Sequence, residues 1–86
     1  MDFETIWTNI ERYEGEAFHT ITGKPFTYHM SGNSVVPDHT NQNIGRGDFV
    51  KAAEIKNLEG PGQIRDLVRG SAYVYAILKD QRIIGG

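Results

Sequence analysis

The stretch from Ala17 to Phe49, AFHTITGKPFTYHMSGNSVVPDHTNQNIGRGDF, constrains the fold most, because turn residues cut it into short alternating runs. Ala17 to Thr22 and Phe26 to Met30 alternate apolar and polar residues around Gly23-Lys24-Pro25, which predicts a hairpin. Pairing Thr22 with Phe26 sets Phe18 opposite Met30, Thr20 opposite Tyr28, His19 opposite His29 and Ile21 opposite Thr27. One face is then mostly apolar. A slip of one residue puts Phe18 opposite His29 and spoils both faces. Ser31-Gly32-Asn33 turns the chain again, and Ser34-Val35-Val36 is a third strand stopped by Pro37. The expectation is a three-stranded antiparallel meander. Asp38 to Asn43 carries no apolar residue and is expected to be an exposed loop.

Helical spacing flanks the meander. Phe3, Ile6, Trp7, Ile10 and Tyr13 form one apolar stripe, with Asp2 placed to cap the start and Gly15 to end the helix. Phe49, Val50, Ala52, Ala53 and Ile55 predict a helix over 46–56 with Gly45 at its N-cap. Asn57 to Gly62 breaks the chain, and Ile64, Leu67 and Val68 suggest a short helix closed by Gly70. Ser71 then caps a segment over 72–79, where β-branched and aromatic residues make strand a competitor. The stripe of Val74, Ile77 and Leu78 favours helix. The fold class is α+β: an N-terminal helix, the meander, then two or three short helices, as a single small domain over 1–86.

Composition limits what such a domain does. Eighty-six residues hold one core that hides only roughly 60–65% of the unfolded surface. The absence of cysteine removes disulfides, thiolate metal sites and cysteine nucleophiles together. No apolar run approaches the roughly 18 residues needed to span a bilayer, and the acidic start is no signal peptide, so the expected setting is cytoplasmic. The net charge of -2 is uneven: the first twenty residues sum to -4, and Arg46 to Arg82 sum to +2. Any nucleic-acid footprint must then be a local patch on the second half.

Few arrangements support chemistry. His19, His29 and His39 recur every ten residues, and the first two face each other in the expected hairpin. A usual site needs a third and a fourth ligand, so no metal and no cofactor is expected. No nucleophile with a base and an orienting group can be named, and GlyProGly (60–62) and GlyArgGly (45–47) lack the lysine and serine of a phosphate loop. The chain is expected not to be an enzyme. Arg46-Gly47-Asp48 opens a helix instead of serving as an adhesion tripeptide, and Gly85-Gly86 is read as a fraying end.

Several blocks stand out as a set: TITGKPFTY (20–28), DHTN (38–41), IGRGDF (44–49), LEGPG (58–62) and LVRGSAYVYAIL (67–78). Together they resemble a small bacterial and phage domain associated with the N-terminal part of HNH-type modification-dependent restriction endonucleases, and with short stand-alone proteins. The similarity covers roughly 18–83. It implies a defence-associated role in recognition and not in cleavage, since the nuclease chemistry of such enzymes belongs to a separate domain. Serine is expected where Gly45 and Gly47 stand, and arginine where His39 stands. The first change weakens the helix start and the second removes a basic contact.

The residues themselves support a recognition surface. Arg46, Arg65 and Arg69 can meet phosphates, with Asn33, Asn41, Gln42 and Asn43 reaching base edges. His29 or Tyr28 can stack on an unpaired or flipped base. His39 and Thr40 complete the polar set of the 38–46 loop. The expected partner is DNA, plain or modified, bound by a monomer or a homodimer. The alternative is a protein-interaction module or phage-encoded inhibitor using Tyr13, Tyr28, Tyr73 and Tyr75. Charge placement separates the two readings. Arg46, Arg65, Arg69 and Lys79 gathered beside Asn41–Asn43 would favour nucleic acid, and an apolar patch would favour a protein.

Overall fold

Asp2 caps the first helix in the computed structural model, which describes residues 2–85: its carboxylate accepts from the Thr5 N–H and hydroxyl, each at 2.9 Å. Those bonds hold the Asp2 carboxyl below its ordinary value. Helix α1 (Phe3–Arg12) buries Trp7 and Ile10, and Phe3, Ile6 and Tyr13 pack at the edge of the core. Gly15, at φ 87, then turns the chain out of the helix.

The strands differ from the expected meander. Strand β1 (Phe18–His19) pairs with β2 (Pro25–Phe26) as a two-stranded ribbon. Strands β3 (Tyr28–Ser31), β4 (Ser34–Pro37) and β5 (Ile44–Gly45) form a separate three-stranded antiparallel sheet in that order. Phe18 faces Phe26 in place of Met30, and His19 faces Pro25 in place of His29. Met30 instead faces Val35, and His29 faces Val36. The shift from Met30 to Phe26 is four residues, an even number, so Phe18 and Phe26 both keep the buried face. Alternation therefore identified the faces but not the partners.

Two local interactions explain the change. The hairpin tip is Thr20 to Lys24, wider than Gly23-Lys24-Pro25, because Thr20 accepts from the Lys24 N–H on its hydroxyl (3.1 Å) and donates its own N–H to the Lys24 carbonyl (2.9 Å). Thr27 then ends the ribbon. Its carbonyl accepts from the Asp38 N–H and its N–H donates to the Asp38 carboxylate, both at 2.9 Å. Thr27 and Asp38 thus extend the β3–β4 register by one pair, with a side chain replacing one backbone acceptor. Asp38 belongs to the sheet and not to the free loop.

Tyr28, the first residue of β3, is almost wholly buried and donates its hydroxyl to the Ile10 carbonyl at 2.5 Å. That carbonyl is among the last four of α1, which have no partner within the helix. Burial raises the Tyr28 phenol well above its ordinary value. The outer edge of β3 is closed as well: the Gly15 N–H donates to the Tyr28 carbonyl (3.0 Å), and the Met30 N–H to the Glu14 carboxylate (2.6 Å).

Helix α2 (Arg46–Ala53) starts where expected, after Gly45, and ends three residues early. The expected helix around Ile64 is only a 3-10 turn, Pro61–Ile64, which buries Ile64; beyond it Val68 is buried and Leu67 exposed. Three apolar residues after Gly60-Pro61-Gly62 do not sustain a longer helix. Gly70 does not close it. At φ 63 it is the N-cap of helix α3 (Ser71–Leu78), so Ser71 is the first helical residue and not the cap. A Cβ on Gly70 would lie 2.6 Å from the ends of the Gln42 and Ile44 side chains, and its left-handed φ is one that favours glycine. The 72–79 segment is helix, and α3 buries Val74, Ala76, Ile77 and Leu78.

A fourth helix, α4 (Gln81–Ile84), was not foreseen. The Asp80 carboxylate caps it by accepting from the Arg82 N–H, and it pairs with the Arg82 guanidinium at 2.9 Å on both oxygens. Arg82 also donates to the Ala17 carbonyl (2.8 Å) and lies 4.0 Å over the Phe18 ring, clamping α4 to β1. Gly85 follows the helix; the fraying expected of Gly86 lies outside the described residues. No helix among the described residues is long and apolar enough to cross a membrane.

Tyr28→Phe is expected to keep the fold but leave the Ile10 carbonyl unpaired in the core, a loss of about 1–3 kcal/mol read from urea denaturation. The Arg82 hydrogen bond holds the Asp80 carboxyl below its ordinary value. The stability it contributes is therefore present above that ordinary value and lost as pH falls through the lower folded-state value. A Tm measured from pH 6 down to pH ~2.5 is expected to fall, and Asp80→Asn to start lower and fall less.

Candidate functional site

The hairpin tip, the end of β4 and the start of α3 enclose a cleft of about 270 Å³. Thr20, Lys24 and Pro25 form one wall, Asp38 and His39 the other, and Phe26 with Tyr73 the floor. The two rings meet edge to face at 5.0 Å and 75°. Each wall is locked locally. Gly23, at φ 88, lets its N–H reach the Thr20 carbonyl at 2.8 Å and tightens the tip. On the other side the Thr40 hydroxyl donates to the Pro37 carbonyl (2.8 Å) and accepts from the Gln42 N–H (3.3 Å). Between these anchors His39 takes φ 61, the sole non-glycine residue of the described chain in the left-handed region. That conformation costs of order 1 kcal/mol and persists only where the surroundings enforce it.

The polar groups divide into those already engaged and those free. The Thr20 and Thr40 hydroxyls serve their own turns. One Asp38 oxygen holds Thr27, and the other lies 3.3 Å from His39 Nε2, with the His39 side chain 94% exposed. Lys24 enters no ion pair among the described residues. The Tyr73 hydroxyl makes no hydrogen bond among them either, whereas that of Tyr75 donates to the Glu59 carbonyl at 2.8 Å. Lys24 and the Tyr73 hydroxyl thus remain open at an aromatic floor, with the exposed His39 ring beside Asp38 at its edge. The arrangement suits a planar ring that carries acceptor or anionic groups.

The residues proposed from the sequence fall into separate places. His39, Thr40, Asn41 and Asn43 share one loop, Gly70 packs on Gln42 of that loop, and Arg69 is exposed. Asn33 is at the far end of β4, some five residues from Asp38 and about 16 Å away at the rise of a strand. There its carbonyl accepts from the Arg46 N–H at 2.9 Å. The Arg46 guanidinium pairs with the Glu4 carboxylate and sits 5.0 Å over the Phe3 ring, so its charge is engaged on α1. His29 is exposed opposite Val36, and Arg65 is exposed beyond the 3-10 turn with no ion pair among the described residues. Lys79 lines a different groove.

Arg46 is engaged on α1 and Lys79 lines another groove, so the four cations do not gather beside Asn41–Asn43. Sequence reasoning missed Lys24, Phe26 and Tyr73 as a unit. The hairpin tip was a signal for Lys24, but nothing in the sequence couples Phe26 to a tyrosine 47 positions later. No group of three or more metal-ligating side chains gathers among the described residues, and the expected opposition of His19 and His29 is absent. Compared with protein-family models, with curated proteins and with solved structures, the chain matches none.

His39→Gly is expected to leave thermal stability unchanged or raised by up to about 1 kcal/mol, because glycine adopts this φ without strain. A thermal melt of the variant checks it.

Proposed function

We propose that this protein is a non-enzymatic recognition domain that binds DNA at the cleft between the hairpin tip and the 38–43 loop, taking one unpaired or modified base against Phe26 and Tyr73. The observation that carries this reading is His39, held in a strained left-handed conformation at the mouth of a cleft with an aromatic floor. Backbone strain of this kind clusters at ligand sites. The cleft volume lies just under the roughly 300–1,000 Å³ typical of small-molecule pockets. Lys24 and Arg69 supply charge for adjacent phosphates, and Asn41 and Asn43 supply amides for base edges. The resemblance to a recognition-type domain of restriction enzymes agrees with this role. Arg46 and Asn33 have no part in the cleft, and Arg46 acts in stability through Glu4 and Phe3.

The test is a titration of short fluorescent single-stranded and duplex DNA, methylated and unmethylated. With two or so phosphate contacts, affinity is expected to fall about tenfold between 50 and 200 mM salt. Tyr73→Leu is expected to weaken binding by about 1–3 kcal/mol, as lost base stacking does. Lys24→Ala weakens it and flattens the salt dependence, while Arg46→Ala lowers stability and leaves affinity unchanged. No binding at tens of micromolar protein and low salt overturns the reading.

A further inference from the structure

A second depression, of about 160 Å³, opens where α1, α2, α3 and α4 converge, and it shares no residue with the cleft. Its walls are apolar, with Ile6 from α1, Ile55 after α2, Leu78 at the end of α3 and Ile84 from α4. Lys56 and Lys79 complete the lining, and no carboxylate takes part in it. Neither lysine enters an ion pair among the described residues. Two free ammonium groups beside one apolar hollow stand out on a chain of net charge -2.

Size and charge together select the occupant. The volume is about half the lower bound for cofactor and small-ligand pockets, so it holds one bulky side chain and not a cofactor. Interfaces concentrate affinity where one apolar anchor enters such a hollow inside a polar rim. The paired lysines make that rim complementary to carboxylates and set the sign of the partner. We propose that this groove docks an acidic peptide segment of a protein partner, which inserts one aliphatic side chain between Ile6, Ile55, Leu78 and Ile84 while its carboxylates face Lys56 and Lys79. Because the groove lies apart from the cleft, this docking holds whether or not the cleft binds DNA.

The probe is an amidated octapeptide, Glu-Asp-Glu-Leu-Asp-Glu-Asp-Glu, titrated into protein with labelled isoleucine and leucine methyl groups. The Ile6, Ile55, Leu78 and Ile84 methyls are expected to shift. Replacing the peptide leucine with serine is expected to weaken binding about tenfold, as loss of one buried aliphatic side chain does. The K56E/K79E variant changes two exposed side chains, so its circular dichroism is expected to match the parent. It is expected to lose the acidic peptide and gain the version with every acidic residue replaced by lysine. Absence of methyl shifts at millimolar peptide overturns the proposal, as does equal binding of the leucine and serine peptides. Shifts of the same methyls with protein concentration, matched by dimer in sedimentation, overturn it in favour of a second copy. Shifts induced there by an oligonucleotide overturn it equally.

Discussion

The hydrogen bond from the Tyr28 hydroxyl to the Ile10 carbonyl joins the two parts of the molecule that sequence order keeps apart. It satisfies a helix-end carbonyl that α1 cannot pair itself, and it does so inside the core. The ring sits 5.4 Å from Phe18, so one side chain closes α1, seats β3 and packs on the neighbouring ribbon. The Gly15 N–H and the Glu14 carboxylate fix β3 along its outer edge. With β3 placed, β4 and β5 follow through their ladders, and α2 leaves the sheet in line with β5.

The cleft is a consequence of how the chain reaches Tyr28. Thr27 turns away from β1 and pairs with Asp38, which splits an expected continuous strand between two sheets. The ribbon tip with Lys24 then stands clear of the main sheet, facing the turn that Thr40 and His39 build after Pro37. Helix α3 fills the base with Tyr73, edge to face against Phe26, and starts at Gly70 beside Gln42 and Ile44. Gln42 Oε1 is buried at that junction with no hydrogen-bond partner among the described residues.

The charges of the second half are spent unevenly. Arg82 is consumed in clamping α4 through Asp80, Ala17 and Phe18, and Arg46 is tied to α1 through Glu4 and Phe3. Neither role is visible in the sequence, where both residues count equally toward a basic half. Lys24 lines the cleft and Lys56 and Lys79 line the groove between the helices, and none of the three enters an ion pair among the described residues.

The sequence by itself determined the α+β class, α1 with its Asp2 cap, the start of α2 and the buried faces of the strands; for 72–79 it favoured helix over strand without deciding between them. Each of these rests on short-range periodicity, capping chemistry or two-residue alternation, which neighbours in the chain supply among themselves. Only the tertiary structure decided which strands pair, because an even shift preserves every face while changing every partner. It alone decided that Gly70 starts a helix instead of ending one, because a left-handed glycine suits either end of a helix and its spacing does not say which. The union of Lys24, His39 and Tyr73 in one cleft has the same origin: it depends on Thr27 choosing Asp38, and alternation along the strand carries no information about that choice.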